Sequence, residues 1–401
     1  MKLFLQFSNL LCAVFLSAAV PIQKYCKVGI LQGFTGPAES LVIPIVAGAE
    51  LSIKEISDSG LFLGGKKVIP VRADTTCIDA AAARTTADRL ITLERVAGII
   101  GTTCSGAATA VLNNVARPHG VVMISPSATS PVMSFLEDDG LFFRTAASDA
   151  SQGEVIGDIL FSKGIKSAAL TYTNNDYGKG LAEAIRTSFE KNGGKITVVI
   201  AHEDGKADYS AEVATMASAG GDILIVVGYL DQGGKGVIQA AIDTGAFEKF
   251  MLPDGMVGDS LTNAFGKTID GSIGIVQGND SLGSKMLVDL AKKNGFNGDD
   301  PYFKEAYDAA AIMLLAMQSA GSTDSAVYKY HVNKVANFPG EKIYPGELAK
   351  GLKILASGGE IDYIGGTTVE LVGTGESVGS FSEKVVINGT WNTVSYHSLL
   401  R

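Results

Sequence analysis

Basic side chains are in short supply: 33 lysines and arginines face 42 aspartates and glutamates over 401 residues, a formal charge of −9. No cluster of Lys or Arg is interleaved with aromatic residues, so nucleic acid and anionic membrane surfaces are poor candidates as partners. Aromatics make up only 7 % of the chain, whereas glycine occurs 48 times. With plentiful aliphatic residues, that balance suits α/β layers joined by tight turns. The four histidines, His119, His202, His331 and His397, are scattered without metal-ligand spacing, and no Walker loop or G-x-G-x-x-G follows a predicted strand. Neither a metal nor another cofactor is expected. Long apolar runs are also absent after the N-terminus, where Lys2 precedes Leu3, Phe4, Leu5, Leu10, Leu11, Val14, Phe15 and Leu16, then Ser17, Ala18 and Ala19. That order predicts a cleaved secretory signal over residues 1–19, because Gln6, Ser8 and Asn9 interrupt a run already short for a bilayer span.

Cysteine is sparse too, with four in the chain. Cys12 would leave with the signal. In an oxidising compartment Cys77 and Cys104 are the natural pair, each falling just after one of two neighbouring predicted strands. Closing that loop would stabilise the fold by roughly 3–4 kcal/mol on a chain-entropy basis; two buried free thiols are the alternative. Cys26 is left single, at the start of the first strand.

A chain of 401 residues exceeds the comfortable size of one hydrophobic core, so two domains are expected. From Cys26 onward β-rich runs alternate with helical patterns: Lys27–Leu31, a helix near Pro44–Ser57, Val68–Ala73, Ala80–Leu93, Val96–Ile100, Ala107–Ala116 and Val121–Ser125. This is the rhythm of parallel βαβ units. After Phe143-Arg144-Thr145 it restarts, with strands at Ser167–Tyr172, Ile196–Ala201, Ile223–Val227 and Phe250–Leu252 between further helices. The last third reads as helices near Ser284–Asn294, Pro301–Ala320 and Pro345–Ala356 without intervening strands, followed by antiparallel strands at Thr367–Val372, Ser380–Ile387 and Thr390–Ser395. The expectation is two discontinuous Rossmann-like lobes with parallel sheets, joined by a multi-strand hinge around a cleft.

Two short runs carry the functional signal. Thr102-Thr103-Cys104-Ser105-Gly106-Ala107 and Ser125-Pro126-Ser127-Ala128-Thr129-Ser130 each follow a predicted strand and offer hydroxyls and unpaired amides. Either alone reads as an ordinary helix cap. Side by side beyond the carboxyl ends of adjacent strands, they would hold a carboxylate without a basic side chain. Asp254, in Leu252-Pro253-Asp254-Gly255 after a strand of the second half, reads equally as turn chemistry or as a partner for an ammonium group across the cleft.

Together with Lys27-Val28-Gly29-Ile30, Thr35-Gly36-Pro37, Asp74-Thr75-Thr76-Cys77, Phe143-Arg144-Thr145, Asp176-Tyr177-Gly178-Lys179-Gly180 and Tyr307-Asp308-Ala309, these runs resemble the periplasmic amino-acid-binding proteins of the leucine/isoleucine/valine type. Those are the solute receptors of ABC importers, with the type I periplasmic-binding fold. The resemblance covers nearly everything after the signal. It implies that Ser105, Ser127, Ala128 and Thr129 bind a ligand carboxylate, that Asp254 receives the ammonium, and that Tyr177, Tyr229, Tyr302 and Leu41 line the pocket. It also implies a monomeric periplasmic receptor that closes on a small amino acid, the branched-chain ones included, and delivers it to a membrane permease. Lobe 1 would comprise 26–145 plus 278–364, and lobe 2 146–277 plus 365–401.

Two departures from the family pattern stand out. The acid is Asp where leucine-type members more usually have Glu, which places the ammonium deeper in the second lobe or behind a bridging water. Glu39, Ser40 and Leu41 stand where relatives often have an aromatic residue, so an amide, urea or aromatic acid ligand stays open. From another class, a secreted serine hydrolase would use Ser260 in Gly258-Asp259-Ser260-Leu261 or Ser377 in Gly375-Glu376-Ser377-Val378-Gly379. The first motif belongs near the first strand and needs an Asp-x-x-His, but Val394 stands three residues before His397; the second lies in a Gly-rich loop between predicted strands rather than at a strand-to-helix turn.

Overall fold

The computed structural model describes residues 24–398. The expected signal, residues 1–19, lies outside the described residues. The first half builds β1 (Tyr25–Gln32), β2 (Lys67–Asp74), β3 (Ile99–Gly101), β4 (Met123–Ser125) and β5 (Phe142–Ala147). The second builds β6 (Ser167–Thr173), β7 (Lys195–His202), β8 (Ile223–Val227), β9 (Phe250–Leu252) and β10 (Ile273–Gln277). Interior strands such as β8, Ile-Leu-Ile-Val-Val, are buried along their whole length, as a parallel sheet covered by helices on both faces requires.

The two sheets share one topology. Their strands run β2-β1-β3-β4-β5 and β7-β6-β8-β9-β10, so the second half repeats the first in connectivity. Each order reverses next to its first strand, between β1 and β3 and between β6 and β8, where ligands bind in open α/β sheets.

After β10 the chain returns to the first lobe. Helix Phe303–Ala320 is buried on nearly every side and forms the centre of that lobe's core. It packs against helix Glu39–Ser59 so closely that a Cβ at Gly48 would stand 2.2 Å from the Phe303 carbonyl oxygen. The expectation that the returning helices lack strands does not hold: β11 (Glu341–Ile343) and β12 (Ile361–Tyr363) pair in parallel as a separate ribbon. The final strands also divide differently from the expected boundary at 365. The short strands β13 (Leu371–Val372) and β14 (Glu376–Ser377) join the first sheet beside β5. Only β15 (Ser380–Ile387) and β16 (Thr390–Ser398) extend the second, antiparallel to β10.

Three crossings connect the lobes, after β5, after β10 and after β14, and they are laced together. The Gln277 amide exchanges bonds with the Ala147 backbone, accepting from its N–H at 3.2 Å and donating to its carbonyl at 3.4 Å. Gly278 N–H donates to the Ser380 carbonyl at 2.9 Å, and Ser380 Oγ donates to the Gly278 carbonyl at 3.1 Å. Three connected strands confine relative motion to a hinge. The expected Cys77–Cys104 disulfide is present, and Cys26 is a free, buried thiol. Among the described residues no helix is long and apolar enough to cross a membrane.

Candidate functional site

The two hydroxyl-rich corners lie side by side, because β3 and β4 pair in register from Ile99 and Met123. Much of their polarity is spent on joining them to each other. Ser125 Oγ donates to the Thr102 carbonyl at 2.8 Å and accepts from Ala128 N–H at 2.9 Å. Ser127 Oγ donates to the Thr103 carbonyl at 3.1 Å, and Ser130 N–H donates to Ser105 Oγ at 3.1 Å. Of the four expected carboxylate ligands, Ser127 and Ala128 therefore serve the scaffold through those groups. Ser105 keeps its hydroxyl proton available, since its oxygen is the acceptor in its bond to Ser130. Thr129 Oγ1 is buried without a hydrogen-bond partner.

Arg144, on β5 and almost entirely buried, fixes the outer edge of this corner. Its guanidinium donates to the Ser130 carbonyl at 3.0 Å, to Ser134 Oγ at 2.8 Å and to Glu376 on β14 at 2.8 Å. Its positive charge is thus committed behind the corner.

Across the cleft Asp254 opens the short turn that follows β9, with no solvent exposure. Its Oδ1 accepts from Tyr177 Oη at 2.9 Å and from Gly255 N–H at 2.8 Å, while Oδ2 has no partner. The Tyr177 ring stacks on Tyr229 with centroids 5.2 Å apart. Tyr302, which precedes helix Phe303–Ala320 with a left-handed backbone at φ 63°, belongs to the first lobe yet faces Asp254. Leu41 is buried in the first turn of helix Glu39–Ser59. Direct bonds tie the lobes: Ser130 Oγ donates to the Asp176 carbonyl at 2.9 Å. Asp254, Tyr177, Tyr229 and Tyr302 thus share one buried interior that reaches Thr129 of the first lobe's corner, while Leu41 lies against Gly258, 3.7 Å from where a Cβ there would stand.

The sequence reading missed two members of that interior, Asp149 and Gln152. Both are fully buried. They lie three positions apart on one face of helix Asp149–Ser162, which Ser148 caps by accepting from Ala150 N–H. The signal was present: a Ser-Asp start followed by apolar Val155, Ile156, Ile159 and Leu160 is a helix N-terminus. Neither oxygen of Asp149 and neither end of the Gln152 amide meets a partner at good hydrogen-bond geometry, although Thr129 stands near Asp149 and Gln152 near Asp254. Burial, then the charge of Asp254, push the Asp149 carboxyl well above its usual range, with the Thr129 hydroxyl and Arg144 working the other way. Burial likewise raises Asp254, held back by Tyr302, Tyr177 and Gln152. Two buried ionised carboxylates repel one another and lack solvation, so burial favours their protonation or the approach of a cation.

The hydrolase motifs meet a different fate. Ser260 donates to Asp231 at 2.9 Å and accepts from Lys235 at 3.2 Å, and Ser377 is buried within strand β14. Among the described residues no group of three His, Cys, Asp or Glu could hold a metal ion.

A two-lobed α/β molecule with polar, partnerless groups enclosed between its lobes is the build of a solute-binding receptor. By sequence the chain belongs to the periplasmic binding protein family, which matches residues 26–347. It is 30 % identical over 303 residues to Leu/Ile/Val-binding protein homolog 1 of Brucella melitensis, covering 74 % of this chain and 79 % of that one. The fold is similar to that of the branched-chain amino acid binding protein LivJ of Streptococcus pneumoniae, solved with isoleucine (TM-score 0.74, 23 % identity, 94 % of this chain and 99 % of that one). It is also similar to a solute-binding protein of an ABC transporter from R. palustris, solved with benzoate (TM-score 0.75, 20 % identity, 93 % and 96 %). The type I periplasmic-binding fold expected from the sequence is the fold observed.

Proposed function

We propose that this protein is the extracytoplasmic receptor of an ABC importer and that it encloses a small α-amino acid between its lobes. The observation that carries this reading is the set of buried, partnerless atoms in one interior: Thr129 Oγ1, both oxygens of Asp149, both ends of the Gln152 amide and Asp254 Oδ2. Unpaired buried polar groups are costly, and two unpaired acids more so, unless a ligand answers them. An ammonium group supplies three donors and the missing positive charge for Asp149, Asp254 and Thr129. The hydroxyl of Ser105 and the N–H of Thr129 suit the carboxylate at its other end, the neighbouring amides of Ser127, Ala128 and Ser130 being bonded to Ser125 and Ser105. With Asp149 reaching in from the crossing after β5, the ammonium has two acids, which compensates for the shorter side chain of Asp254.

The benzoate-bound neighbour supports a second reading, an aromatic acid held at the same corner. Such a ligand would leave Asp149 and Asp254 unanswered, and this favours the zwitterion. The receptor would act in the periplasm as a monomer without a cofactor, presenting its closed form to a membrane permease, and it would carry out no chemistry on the ligand. The test is a thermal-shift panel of amino acids, amides and aromatic acids, since a ligand that binds only the native state raises Tm. One or a few neutral amino acids should raise it; a response to benzoates alone would replace this reading with the second.

A further inference from the structure

Helix Glu39–Ser59 begins at the first lobe's side of the cleft without a cap of its own, because Ala38 at its N-cap position makes no side-chain hydrogen bond. A helix start leaves its first N–H groups unpaired. The usual remedy is a side-chain oxygen that accepts from the second or third helical residue, and a charged oxygen also meets the helix dipole. Here the oxygen comes from the other lobe. Asp231, in the loop after β8, accepts from the N–H of Ser40, the second helical residue, at 2.7 Å. Its own N–H donates to the Pro37 carbonyl at 3.0 Å.

The carboxylate is held in place from its own side. Its second oxygen accepts from Ser260 Oγ at 2.9 Å, and Lys235 donates to that serine at 3.2 Å. The serine that read as a hydrolase motif is therefore a strut. Close packing accompanies these bonds: a Cβ at Gly258 would stand 2.7 Å from Leu230 and 3.7 Å from Leu41 of the opposite lobe. None of these bonds involves the anion corners, Asp149 or Asp254.

We infer that Asp231 is a closure latch, a positioning residue of the second lobe that caps the first lobe's opening helix in trans and holds the ligand by holding the lobes. This rests on the reading that the ligand is enclosed between them. Opening must break both Asp231 bonds and return the Ser40 amide to water. Ligand enters the open form, in which the latch is unmade, so losing the latch speeds dissociation and raises the open fraction, and it does not slow association.

The test compares wild type with Asp231→Ala, Asp231→Asn and Ser260→Ala, using L-leucine as probe in stopped-flow binding, beside small-angle scattering of the ligand-free proteins. Asp231→Ala should release L-leucine about fivefold faster, the size expected for loss of a helix cap, with an association rate equal to or above that of wild type. Asp231→Asn, which keeps one acceptor, should fall between. Ser260→Ala should have a smaller effect that vanishes in the Asp231→Ala background, a coupling that general destabilisation would not produce. Wild-type release rates in Asp231→Ala would overturn the latch. If wild type gives no L-leucine signal, the ligand reading is what suffers, and scattering decides the latch. A larger radius of gyration in ligand-free Asp231→Ala than in wild type supports it, and equal radii overturn it.

Discussion

Asp308 in the first lobe and the pair Asp149 and Asp254 in the cleft are equally sealed from solvent, yet they are opposites in what surrounds them. The carboxylate of Asp308 accepts four bonds: from Tyr363 Oη at 2.7 Å, Gly366 N–H at 2.9 Å, Thr367 N–H at 2.9 Å and Thr367 Oγ1 at 2.7 Å. These donors restrain the effect of burial, which still lifts its pKa to about 6. In the cleft, neither oxygen of Asp149 nor Oδ2 of Asp254 has a well-formed bond, and only Thr129, Tyr302 and Gln152 stand near enough to ease their burial. Burial alone therefore does not mark a functional acid. A satisfied buried carboxylate pins a loop; an unsatisfied one is waiting for a partner that the chain does not supply.

Substitution on the cleft side should give the largest effect. Asp254→Ala should weaken binding of the responsive amino acid by about a hundredfold or more, the scale of losing a charge-assisted bond in a dry site. The melting temperature without ligand should change little, since relief of the repulsion with Asp149 offsets the bonds that Asp254 accepts from Tyr177 and Gly255. Calorimetric titration of this variant with unaltered affinity would end the ammonium assignment.

Asp308→Ala should do the reverse. With four donors left unpaired, stability should fall by about 3 kcal/mol in urea unfolding, while the folded fraction binds ligand as wild type does. A variant that keeps its stability would show the loop at 363–367 to be held by packing instead.

Proton titration offers a smaller and subtler contrast. A carboxyl whose folded pKa lies above its unfolded value contributes stability fully present below the unfolded pKa and lost as pH rises through the folded one. For Asp308 that window runs from 3.8 to about 6, and it is the same with and without ligand. For Asp149 and Asp254 the raised values belong to the empty cleft, and an ammonium binds the ionised pair. Ligand-induced stabilisation should therefore shrink on acidification as protons compete for the same oxygens. Thermal shifts measured at several pH values between 8 and 5 test this, and a pH-independent shift would mean that the pair is already ionised without ligand.

Much of this was legible along the chain. The parallel rhythm, the restart after Phe143-Arg144-Thr145 and the Cys77–Cys104 pair all rest on local pattern, and local pattern survives folding. Other elements were not. β10 carries Gly274, which weakens a strand signal; the glycine is there because a Cβ would stand 2.7 Å from the Trp391 ring. β14 is two residues long, too short for periodicity to register, and pairing with β5 and β13 makes it a strand, whereas β13 falls inside the expected strand Thr367–Val372 but covers only its last two residues.

The site divides in the same way. Ser105, Thr129 and Asp254 could be singled out because hydroxyls and acids just after strands are local features, and the carboxyl ends of a parallel sheet share one side. What each does was decided by contacts between distant residues. Ser125 occupies the Ala128 amide, Arg144 ties the corner to Glu376 across 232 positions, and Asp149 comes to face Asp254 with neither of them fully answered. Sequence order determines which donors and acceptors exist and which strand each follows. Whether one is satisfied depends on distances of about 3 Å between segments far apart in the chain. That is a property of the closed fold alone.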